Sequence, residues 1–198
     1  QYVYDLGQSG GCIFSNNVFI APSTTISPFQ SPNSSNASTF SNNLFIMAST
    51  LNLFSNHNYY NLTFQNNVVM GIMNINNCYT STFNNNIATS WTDPTVTING
   101  NVGTGNFIGQ LPVFVNYDGS FQTSDDNMQL VDGTPGDNGG TDGSDIGPFG
   151  GAEPFMLTSQ YGSYIPGLPY VTYMQLDQLI VPVNSSIQMQ ATGTIITE

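Results

Sequence analysis

The chain has 198 residues with no Lys or Arg, 12 acidic residues and one His, giving a formal charge of −12. Nucleic-acid phosphates and anionic membrane surfaces are held through cationic side chains, so both partners are excluded. No run of about 18 apolar residues is present, which excludes membrane insertion as a spanning helix.

About a quarter of residues are charged in an average protein, against 6 % here. The low charge does not signal disorder, because 39 % of the residues are hydrophobic. Polarity is carried by Asn, Ser, Thr, Gln and Gly instead, a profile of secreted β-structure. A chain without basic residues also offers no site to proteases that cut after them. The sequence opens on Gln1 rather than Met, as expected of a processed or excised chain, and QYVYDLGQSG at 1–10 is a candidate edge for a docking subunit.

From residue 13 a short pattern returns along the chain: IFSNNVFI at 13–20, TFSNNLFI at 39–46, TFQNNVVM at 63–70, TFNNNIAT at 82–89 and a degraded TINGNVGT at 97–104. Aligned on the second Asn, the columns are Asn17, Asn43, Asn67, Asn86 and Asn101, preceded at three residues by Phe14, Phe40, Phe64, Phe83 and Ile98. Val18, Leu44, Val68, Ile87 and Val102 follow. Recurrence near 20 to 25 residues with β-forming side chains predicts stacked layers of strand. Each Asn of the column is expected at the bend between two strands, where positive φ is needed, and also in an amide ladder with its counterparts. The Phe column is expected to point inward, and the aliphatic residue after the bend to open the next strand facing the same core. The last interval, from Asn86 to Asn101, is short for a full layer.

The F-x-N-N-[VLI] repeats resemble the right-handed parallel β-helix of the pectate-lyase-like superfamily over about residues 10 to 115. That resemblance implies an all-β fold, a right-handed parallel β-helix with Asn and Phe ladders over 1–115, followed by a strand-rich C-terminal segment. Pro-, Ser- and Asn-rich stretches between repeats, including HNYYN at 57–61, read as external turns and loops. Cys12 and Cys78 lie three layers apart, roughly 14 Å at strand spacing, too far for a disulfide. His57 stands between Asn56 and Asn58 with no nucleophile or acid pattern around it. Tyr59, Tyr60 and Trp91 are the candidate platform for a neutral glycan. Asn33, Asn36, Asn61 and Asn184 open N-x-[ST] triplets, which chance supplies readily in so Asn-rich a chain.

Residues 111–151 change character. PVFVN, DNMQLVDGTPG and TDGSDIGPFGG follow, in order, a closing segment that resembles that of bacterial secreted β-helix surface proteins, and this implies a terminal coil and cap over 116–152. Within it Asp137, Asp142 and Asp145 are candidate ligands for Ca2+, since spaced Asp in Gly-rich turns supplies hard oxygens. Beyond lies 153–198, a linker and a partial immunoglobulin-like or strand-pairing segment, too short for a sandwich of about 100 residues.

Enzymes of the superfamily that the repeats resemble are polysaccharide lyases and glycoside hydrolases. The Arg or Lys base that the resemblance implies for a lyase is missing, and an anionic polysaccharide would be repelled. Hydrolysis needs two carboxyls roughly 5 to 9.5 Å apart, whereas Asp125 and Asp126 are adjacent and would face opposite ways in a strand. No catalytic residue is assigned. The expected function is a non-catalytic extracellular or cell-surface structural or adhesive protein, part of a filament or large adhesin that associates through β-edges. A neutral-glycan-binding module and a polysaccharide-degrading enzyme are the alternatives.

Overall fold

The computed structural model describes residues 4–5, 11–21, 29–30, 37–47, 53–54, 58–93, 95–119, 127–154, 169–176 and 189–195. The chain divides into two compact units, Gln1–Phe155 and Met156–Glu198. Among the described residues the structure is all-β, broken by one helical turn at Ile98–Gly100.

Each F-x-N-N copy folds alike. Three residues such as Thr39–Ser41 form a strand that turns the Phe inward and its neighbours outward, as the two-residue strand period requires. The first Asn then bends the chain, and a second strand begins one residue after the second Asn. The first strands, Ile13–Ser15, Thr39–Ser41, Thr63–Gln65 and Thr82–Asn84, lie side by side in one parallel sheet. The second strands, Val18–Ala21, Leu44–Met47, Val68–Met73 and Ile87–Trp91, are joined by Phe107–Ile108 in another. Register in the first sheet is residue for residue, so Phe14, Phe40, Phe64 and Phe83 stand in one column of partners. Each copy therefore lies over the last as a layer, an arrangement compatible with a β-helix-like fold. HNYYN, expected as loop, contributes another strand, Tyr59–Tyr60, paired in parallel with Cys78–Tyr79. Tyr4–Asp5 pairs in the same sense with Phe29–Gln30.

Two apolar cores flank the second sheet. The inner one holds Phe40, Phe64 and Phe83, all fully buried, with Phe14 half-buried against them. Ring centroids are 4.9 Å apart from Phe14 to Phe40, 5.8 Å from Phe40 to Phe64 and 6.0 Å from Phe64 to Phe83. Along the second strands the inward column is Phe19, Phe45, Val69 and Ala88. Its shrinking side chains leave room that Phe54, Tyr59, Met73 and Trp91 fill. The aliphatic residue after each Asn pair does not face this core, contrary to expectation. Leu44, Val68 and Ile87, with Val18 and Phe107, point the other way into a second core completed by Met128, Leu130 and Ile146. Strand alternation is the cause: if Phe45 faces in, Leu44 must face out. The antiparallel pair Phe114–Asn116 and Asn127–Leu130 supplies the cover. Cys12 and Cys78 are not joined. Burial pushes the Cys78 thiol pKa up, so it stays protonated inside the core.

In the second unit Pro169–Leu176 pairs antiparallel with Met189–Ile195, with a register shift between Val171 and Tyr173. His57, Asn33, Asn36, Asn184, Asp125 and Asp126 lie outside the described residues.

Phe64 touches the aromatic columns on both sides and is fully buried. Truncation to Ala is expected to cost about 3–5 kcal/mol, the range for large aromatic-to-Ala changes in cores, read as a lowered urea midpoint. Phe14→Ala, at a half-buried position, should cost clearly less.

Candidate functional site

The described residues converge on a line of buried amides, not on a cleft. Asn43, Asn67 and Asn86 have no exposed surface. Asn67 shows the full pattern. Its backbone N–H and Nδ2 both donate to Asn86 Oδ1, at 2.9 and 3.2 Å. Its own Oδ1 accepts the corresponding pair from Asn43, both at 2.9 Å. Nδ2 also donates to Phe40 O in the layer before and Gln65 O in its own, both at 2.9 Å. One side chain thus satisfies backbone groups of two layers that burial would otherwise strand, at about 1–3 kcal/mol each, and bonds the amide of a third.

The ladder runs Asn17, Asn43, Asn67, Asn86 and then Asn106, whose Oδ1 accepts from Asn86 N and Nδ2 at 3.0 Å. Asn101, expected as the fifth rung, is not in this line. Thr82 bridges to Val102, which places Gly103 rather than Ile98 over Phe83 and restores an interval of 20 residues. Asn101 is buried in a second, interrupted ladder two residues before the Phe column. There its Oδ1 accepts Ser81 N at 2.9 Å, Ser81 Oγ accepts Leu62 N at 3.0 Å, and Ser38 Oγ accepts Cys12 N at 3.2 Å. The echo of NVFI and NLFI in NFI at 106–108 was the available signal for Asn106.

The bend and the ladder are divided between the paired Asn. Positive φ belongs to the first of each pair, Asn16, Asn42, Asn66 and Asn85, at 51° to 56°. Gly105, at 69°, takes that place in the last layer. The side chains of these bend residues face outward, and a strap made of residues 139–150 crosses them one after another. Asn85 Nδ2 donates to Gly139 O at 2.7 Å. Asn66 exchanges two bonds with Thr141, accepting its N–H and donating to its Oγ1, both at 3.0 Å. Asn42 Nδ2 donates to Gly147 O at 3.4 Å, and Asn16 Nδ2 to Pro148 O and Gly150 O at 2.9 and 2.8 Å. The strap travels against the order of the layers and ties all four bends. Its Gly150 is required by contact: a Cβ there would stand 1.7 Å from Asp145 O.

The candidate metal ligands each accept hydrogen bonds within this segment. Asp137 accepts from Gly133 N and Asn138 Nδ2, both at 2.7 Å, and Asp145 from Asn138 N at 3.0 Å. Asp142 accepts Ser144 Oγ at 2.6 Å, and chiefly that bond, with Ser144 N, holds its carboxyl below the usual pKa. Among the described residues no three His, Cys, Asp or Glu side chains come together as an ion site. Asp93 is likewise held low, first by Thr95 Oγ1 and then by the N–H groups of Ile98, Thr95 and Thr97.

The expected glycan platform is taken apart. Tyr59 and Trp91 are 1 % and 8 % exposed and belong to the inner core; Trp91 lies an odd number of residues past inward Ala88, and the register shift between Ala88 and Ser90 turns it in. The Trp91 Nε1–H is buried with no hydrogen-bond partner among the described residues. Tyr60 alone is partly exposed, and stacks on Tyr79 of the next layer at 5.0 Å and 22°. A shallow open groove bounded by Met47, Met70, Ile72 and Leu111 carries only Thr89 and Ser90 as polar side chains. Comparisons with protein-family models, with curated proteins and with solved structures returned no match.

Asn67→Ala is expected to lower unfolding free energy by about 2–4 kcal/mol, because it strands several buried backbone groups at once. Asn17→Ala, at the exposed end of the ladder, should cost under about 1 kcal/mol by the same measurement. Asn66→Gly keeps the left-handed bend but deletes both bonds to Thr141. Amide exchange over 139–150 should then accelerate severalfold while the first sheet keeps its protection. Unchanged exchange there would show that the bend amides do not hold the strap.

Proposed function

We propose that the chain is a non-catalytic structural or adhesive module of an extracellular or cell-surface assembly, its layers wound as a right-handed parallel β-helix. The observation that carries this reading is the unbroken amide ladder from Asn17 to Asn106, sewn along its bends by the 139–150 strap. Such an arrangement commits the chain's most distinctive residues to cohesion between layers. Asp137, Asp142 and Asp145 of the closing segment are engaged in their own turns, and the groove on the second sheet offers hydroxyls but no acid, base or thiol. Absence of Lys and Arg suits surroundings rich in proteases that cut after basic residues.

A neutral-glycan module is the second reading. It is favoured only by the Tyr60–Tyr79 stack, beside which Thr80 Oγ1 donates to Asn61 Oδ1 at 2.8 Å. Aromatic rings with adjacent amide and hydroxyl groups are suited to sugar faces and edges.

Native protein is expected to survive chymotrypsin, despite 10 Tyr and 13 Phe, for far longer than urea-unfolded protein, and to release no reducing ends from neutral or acidic polysaccharides. Measured turnover of any polysaccharide would overturn the structural reading. Oligosaccharide binding lost in Tyr60→Ala and Tyr79→Ala would favour the module instead.

A further inference from the structure

The ladder has a direction. Every rung donates its backbone N–H and Nδ2 to the Oδ1 of the rung that follows, from Asn17 to Asn43 and onward to Asn106. Its two ends are consequently unlike. Asn17 is exposed, and among the described residues its Oδ1 receives no donor; its Nδ2 turns back on Ser15 O at 2.9 Å, where interior rungs reach the preceding Phe carbonyl. At the other end the Asn106 N–H, which in every earlier rung donates onward, has no acceptor among the described residues. One end thus lacks a donor and the other an acceptor.

A second feature marks the same two layers. The outward column before each Phe reads Ile13, Thr39, Thr63, Thr82, Val102 in register. Threonine occupies the interior and aliphatics the ends, Ile13 77 % and Val102 59 % exposed. Neither end layer, 11–21 or 98–109, contains a charged residue, so both lack the Lys, Glu or Pro that natural edge strands use against pairing.

We infer that these ends are the two halves of one head-to-tail interface, the Asn106 layer of one copy stacking on the Asn17 layer of the next. Asn106 N–H then donates to Asn17 Oδ1, Val102 packs beside Ile13 as a cross-strand aliphatic pair, and the ladder continues through the junction. Because the surfaces are different, the contact does not close on a pair and elongates. The inference rests on the structural reading above and names its assembly surface.

The test uses the full chain with Ile13→Lys in one variant and Val102→Lys in another, so that two altered ends repel each other; both positions are exposed and leave each monomer folded, as circular dichroism should confirm. Wild type is expected to elongate with concentration in sedimentation velocity, and each variant alone to stay monomeric. An equimolar mixture of the two should form a dimer that grows no further, because one unaltered Val102 end meets one unaltered Ile13 end. Wild type that remains monomeric at its highest soluble concentration, variants that elongate like wild type, or a variant that dimerises alone would each overturn the inference. Those results would leave the non-catalytic reading standing, since polysaccharide turnover is what removes it.

Discussion

Everything in the layered unit depends on one problem, the burial of backbone groups at a bend repeated in every layer. A strand followed by a sharp turn and another strand leaves N–H and C=O groups that neither sheet can pair, and stacking encloses them. The amide of Asn43, Asn67 or Asn86 solves this by spanning its own layer and both neighbours. No shorter or apolar side chain carries both two donors and an acceptor at that reach. Register follows from it, because a slip by one residue would swing the amide outside and bring the Phe with it.

The same amides explain why the interior can be irregular. The inward column narrows from Phe19 and Phe45 to Val69 and Ala88, and fillers arrive from outside the repeat, Phe54, Tyr59 and Trp91 among them. With register held by polar bonds, the apolar residues need only fill volume. A buried indole N–H without a partner among the described residues is tolerated at Trp91 in this setting, at about 1–3 kcal/mol.

How much of this was legible in the sequence depended on whether a role carries its own residue type. The all-β class, the parallel stacking and the Phe and Asn columns through the fourth layer were visible because like residues recur at like positions. The division between the two Asn of each pair was hidden, since both tasks suit the same side chain. Asn101 was mistaken for a rung because Gly105 replaces the bend Asn of the last layer and the triplet NGN imitates the pattern. Tyr59 and Trp91 were expected outside because neither position belongs to the recurring pattern, and the register shift that turns Trp91 inward has no signature of its own in the sequence. The strap left no signature for its partners, as it offers mostly backbone carbonyls to the bend amides.

The intervals between rungs are 26, 24, 19 and 20 residues, yet the bonds joining the rungs are nearly identical. Extra residues are therefore absorbed between layers without disturbing what fastens them. Doubling such a connection costs only about 0.6 kcal/mol in closure entropy, little beside one rung. Over evolutionary time the connecting segments are free to lengthen, shrink and change composition while the frame stays constant. Diversity of outer surface is thereby uncoupled from the requirement to fold.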